Sequence, residues 1–162
     1  EEQNRATIEE LSRRQAALFD EQHSSLKTIA TLIYKSRNIA RAICTEPPDD
    51  SQKPCAEDRL ESCHGAIEAL LYEDRAILPD TCFRLAHSAK HSVAQLLSMH
   101  REVRSAMRDY KQSESRSDSR RVEETLLALT REFEKLDHMY TALVADIRST
   151  LSVAESPNHL PR

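Results

Sequence analysis

Glycine is nearly missing from this chain: one stands among 162 residues, and there is no tryptophan. Tight turns and phosphate-cradling loops rely on residues that take positive φ without strain, so enzyme folds built on Gly-rich loops do not fit. No apolar run approaches the ~20 residues needed to cross a bilayer, and no signal-peptide pattern is present. The sequence starts at Glu1 rather than Met, from which a fragment or a processed chain is expected. An excess of one charge is lacking too. The formal net charge of -4 is too mild for wholesale attraction to nucleic acid or an acidic membrane, although a local patch can still act. Four cysteines, Cys44, Cys55, Cys63 and Cys82, lack the close pairing of a zinc ribbon or a CxxC redox motif. So low a cysteine fraction in a chain with a sizeable core points to a reducing compartment, the cytoplasm or the nucleus.

What is abundant is charge, 31% of residues, laid over an apolar repeat. From Cys82 a seam runs through Ala86, Ala89, Val93, Leu96, His100, Val103, Met107 and Tyr110. After a polar break it resumes as Val122, Leu126, Leu129, Phe133, Leu136, Tyr140, Leu143 and Ile147. Alternating steps of four and three return each residue to one helical face, which predicts two long helices folded back on each other. The first helix is expected at about 4–46, with Ile8, Leu11, Leu18, Ile29, Leu32, Ile39 and Ile43 on a seam that also holds Gln15, Gln22, Ser25 and Ser36. A flanking stripe of Leu26, Ile33 and Ala40 makes its later half the more buried one. Pro47, Pro48 and Pro54 make 46–54 a loop. A shorter helix follows at about 55–78, with Leu60, Cys63, Ile67, Leu70, Asp74 and Ile77 as its seam. Pro79 stops it and Asp80 is expected to cap a third helix over 80–112. The fourth spans about 118–154, and 155–162, with Pro157 and Pro161, reads as a linker or frayed tail.

Apolar residues beside the seams, among them Leu71, Leu78, Leu97, Met99, Met139 and Val144, widen each face beyond a two-stranded stripe. The expected fold is therefore all-α: one antiparallel four-helix bundle over 1–154, with a protruding, coiled-coil-like hairpin of the third and fourth helices. At 1.5 Å per residue the second helix is about 15 to 20 Å shorter than the third, which leaves the hairpin tip without two of its neighbours.

Candidate chemistry is thin. His87 and His91 stand at i, i+4, and Glu61 with His64 echoes the ExxH spacing of di-iron bundles, but the heptad count turns His87, His91 and His138 outward and a di-iron site wants two ExxH motifs. Cys44, Cys55 and His100 fall at similar heights without a fourth ligand; a core histidine satisfied by a hydrogen bond is the expected reading, with no metal and no cofactor. Asp74 interrupts an apolar seam at the height of Lys27, where an ion pair or a route to solvent is expected. No serine or cysteine has a recognisable base beside it, so nucleophilic catalysis is not expected.

The remaining signals are surfaces. Ile8, Leu11 and Leu18 lie beyond the reach of the second helix and are expected to bind another protein or a second copy. Arg101, Arg104, Arg108 and Lys111, followed by Arg116, Arg120 and Arg121 at the turn, form a basic stripe expected on the overhanging tip. Such a stripe suits an acidic partner, though it is also what a solvated helix face looks like. The leading expectation is a non-enzymatic helical interaction or scaffolding module, and the alternative is a ligand-sensing four-helix bundle with polar seam residues lining a pocket.

Overall fold

The computed structural model describes residues 2–45 and 55–154. The expected loop 46–54 and tail 155–162 lie outside the described residues. Four helices make an all-α bundle: α1 (Glu2–Thr45), α2 (Ala56–Glu73), α3 (Asp80–Ser113) and α4 (Arg116–Ala154). Neighbours in the bundle run antiparallel. α1 packs on α2 and α4, α3 packs on α2 and most extensively on α4, and α1 approaches α3 across the centre. Among the described residues, α2 and α4 do not pack as direct neighbours.

The boundaries follow local chemistry. α2 stops at Glu73, short of the expected Leu78, because a turn closes there: Asp74 N–H donates to Leu70 O, and Ile77 and Leu78 donate back to Asp74 O. Pro79 occupies the N-cap of α3, so Asp80 is the first helical residue rather than the cap, and it accepts from Arg75 at 2.9 Å. At the far end Glu114 ends α3 in the left-handed region (φ 47, ψ 26), its N–H reaching Tyr110 O. Ser115 then caps α4 by accepting from Asp118 N–H, while Asp118 accepts from Ser113 and Ser115. This hydrogen bonding holds the Asp118 carboxyl below the usual carboxylate range. The break is thus Glu114 and Ser115 alone, tighter than the expected helix bounds of 112 and about 118.

The core runs through the middle of the bundle. Leu26, Ile29, Ile33 and Ala40 of α1 meet Leu60, Ile67 and Leu71 of α2, Cys82, Ala86, Ala89, Val93 and Leu96 of α3, and Leu129, Leu136 and Leu143 of α4. In α1 the flanking stripe is the deeper one, since Leu32 and Ile43 of the seam are only partly buried. Burying such aliphatic side chains contributes roughly 1.5 to 3 kcal/mol each before chain entropy is counted.

Both ends of the bundle are incomplete. Glu57 in the first turn of α2 stands beside Arg104, so Ser105 to Ser113 of α3, ~14 Å of helix, rise past α2. At the opposite end Tyr34 faces Tyr140 and Arg37 faces Asp137, a register that sets Ala154 level with about Asp20. The first ~27 Å of α1 therefore extends past the described end of α4.

Candidate interaction surfaces

The projecting start of α1 keeps the period of the core. Ile8, Leu11, Gln15 and Leu18 follow the spacing of three and four that leads on to Gln22, Ser25 and Ile29. Ile29 is 1% exposed, whereas Ile8, Leu11 and Leu18 are 66%, 55% and 51% exposed. Leu18 and Ile29 differ in neighbours, not in phase. Gln22 marks the changeover, its amide donating to Ile77 O at 2.6 Å where the α2–α3 turn first meets α1.

Just above, Ser25 Oγ donates to Asp74 Oδ2 at 2.5 Å. This corrects the expected meeting of Asp74 with Lys27: the two-residue step from Ser25 to Lys27, about 3 Å of rise and roughly 200° of rotation, puts the serine, not the lysine, on the side that faces the carboxylate. Ser36 is satisfied within its own helix by Leu32 O. The polar seam residues from Gln22 onward are thus used in joining helices or bonding backbone, while Gln15 is exposed.

The basic stripe divides in two. Arg104 Nη1 donates to Glu57 Oε1 at 2.9 Å, His100 Nδ1 lies 3.0 Å from the same oxygen, and Arg101 approaches Glu57 and Glu61 at 3.6 Å each. Arg101 and Arg104 therefore fasten α2 to α3 below the overhang and do not stand on the tip, as the length arithmetic had them. α2 begins at the height of Arg104, which puts only later residues beyond it. Glu57 and His100 side chains are 14% and 7% exposed. Burial by itself would raise the Glu57 carboxyl, but Arg104 and His100 outweigh it and hold the group below the usual carboxylate range. On the tip proper, Arg121 pairs with Asp109 and Arg120 with Glu124, both at exposed positions. Arg108, Lys111 and Arg116 are exposed and form no ion pair among the described residues.

His100 is a buried core residue, and its ring faces a carboxylate. Cys55 precedes α2, with its N–H donating to Asp58 at 3.2 Å. Among the described residues no group of three or more His, Cys, Asp or Glu is gathered to hold a metal. All four cysteines are free thiols. Burial and the neighbouring Asp146, 3.1 Å from its sulfur, push the Cys82 thiol up to about 12. Among the described residues no helix is long and apolar enough to cross a membrane.

Two features escaped the sequence pattern. Glu132, 3% exposed, accepts from Ser92 at 2.6 Å and from Lys135 at 2.8 Å; burial opposes its charge, and these partners lower its pKa nonetheless. A groove between α1 and α4 is lined by Lys27, Tyr34, Tyr140 and Arg148 among others. The i, i+7 spacing of Lys27 and Tyr34 was visible, but only the pairing of the two helices gives it an opposite wall.

No protein-family model matches the chain, and neither a curated protein nor a solved structure matches it.

Proposed function

We propose that the chain is a non-enzymatic helical interaction module that binds a second copy of itself or another protein through the start of α1. The observation that carries this reading is the exposure of Ile8, Leu11 and Leu18 in phase with the buried stripe of the same helix. A helix that keeps its core-facing period beyond its neighbours presents the i, i+3, i+7 anchors by which helices recognise grooves and one another. Arg108, Lys111 and Arg116 are a second, electrostatic surface suited to an acidic partner. Four unpaired thiols support a setting in a reducing compartment, the cytoplasm or the nucleus.

The ligand-sensing alternative, with polar seam residues lining an internal pocket, draws less support, since Gln22, Ser25 and Ser36 are already bonded. Removing residues 1 to 20 tests the interaction reading. The full chain is expected to gain sedimentation mass with concentration, or to hold its partner, and the truncated chain to lose this while melting as before. Unchanged mass together with unchanged capture of the partner would overturn it.

A further inference from the structure

The groove between α1 and α4 encloses about 360 Å³, within the range of small-molecule sites. Its two ends differ. At one, Tyr34 and Tyr140 lie with ring centroids 5.8 Å apart, and the Arg37 guanidinium, itself paired with Asp137, lies over the Tyr140 ring at 5.4 Å from its centroid. The antiparallel register of these pairs, carried seven residues along α1, sets Lys27 level with Ile147 and Arg148. A cationic end made by Lys27 and Arg148, with His23 one turn beyond, therefore stands ~10 Å from the aromatic end. Ala30, Val144 and Ile147 make the apolar wall between them.

The two permanent cations of this groove, Lys27 and Arg148, have no counter-charge beside them among the described residues. No lining residue is acidic, and Lys27, His23 and Arg148 form no ion pair among the described residues. On a helix face, a carboxylate three or four positions away would pair with such a cation. Lys27 has Ser24, His23, Ala30 and Thr31 there, and Arg148 has Ala145, Val144, Leu151 and Ser152.

We propose that this groove binds a small amphipathic carboxylate, with its acid group between Lys27 and Arg148 and an apolar, preferably aromatic, body lying toward Tyr34 and Tyr140. The length from cation to ring matches a fused bicyclic acid, and the uncompensated charge selects an anion over a neutral molecule of the same shape. This site is independent of the α1 stripe, which projects from the other side of Asp20.

The test is a titration of the full chain with 2-naphthoate and with its neutral counterpart 2-naphthalenemethanol, followed by the NMR shifts of the tyrosine rings. Saturable shifts at Tyr34 and Tyr140 are expected, with the alcohol binding at least about tenfold more weakly. Neutralising both cations, Lys27→Gln with Arg148→Gln, is expected to erase the preference for the acid while leaving the thermal transition in place, since both side chains are exposed. Val144→Trp, which fills the groove, is expected to abolish both ligands. Equal affinity for acid and alcohol, undiminished acid affinity in the neutralised protein, or no saturable shift up to about 10 mM overturns the proposal.

Discussion

Leu18 and Ile29 sit eleven residues apart on one seam of one helix, and one is half exposed while the other is 1% exposed. The middle of the bundle and its projecting ends use the same apolar period. They differ in what stands opposite. At the height of Leu26 three helices close around α1, and at the height of Leu11 the described residues supply none. The period of a helix states which side turns inward, but burial depends on how many other helices reach that height, which is a matter of their lengths and register.

The largest test of this contrast sets two aspartates side by side. Leu136→Asp places an unpaired charge at a fully buried position and is expected to abolish the cooperative thermal transition, because the cost of several kcal/mol rivals the stability of a domain. Leu11→Asp, on the same kind of seam, is expected to leave that transition in place and to remove association instead. A cooperative melt in the first variant, or an unfolded second one, would break the distinction between middle and end.

A smaller effect is expected at the rim of the core, where Glu57 joins α2 to α3. Replacing it by Gln removes the charge that His100 and Arg104 face, and is expected to cost about 1.5 to 3 kcal/mol in chemical denaturation. The pH dependence has a definite sign. Because the folded protein holds Glu57 below the usual carboxylate range, its contribution is complete above the ordinary carboxylate pKa and is lost as pH falls through the lower folded value. Glu57→Gln should therefore flatten the acid limb of the stability curve, and an unaltered limb would show that the charge contributes nothing.

The smallest effect divides the basic stripe. Arg104→Glu turns a carboxylate toward Glu57 and is expected to lower stability by about 1 to 3 kcal/mol. Arg108→Glu, one turn further along, should leave the melting temperature unchanged and act only on the salt dependence of partner binding. Similar melting temperatures for the two variants would mean that the stripe is uniform after all.

Much of the fold was legible because long heptads leave few choices. The seams through α3 and α4, the bundle, the overhanging hairpin and the exposed start of α1 follow from counting apolar residues and comparing helix lengths. The candidate surfaces were less legible. Arg101 and Arg104 were assigned to the tip since a stripe on one helix carries no mark of where its neighbour begins. The pairing of Asp74 with Lys27 fails because helix rise gives height alone, and Ser25, only about 3 Å away from Lys27 along the axis, points to a different side of the helix by roughly 200°. Of the α1–α4 groove the sequence shows only the i, i+7 spacing of Lys27 and Tyr34, as the two walls come from residues more than a hundred positions apart.

The sequence by itself determined that this chain is helical and amphipathic, and which side of each helix faces inward, because these depend on near-neighbour chemistry repeated every three or four residues. Only the tertiary structure decided which inward-facing turns are covered, which arginines are tied to Glu57, and that Lys27 and Arg148 share a groove. Those outcomes depend on the relative register of helices distant in the chain, and register is set by the sum of many side-chain contacts that no single helix contains.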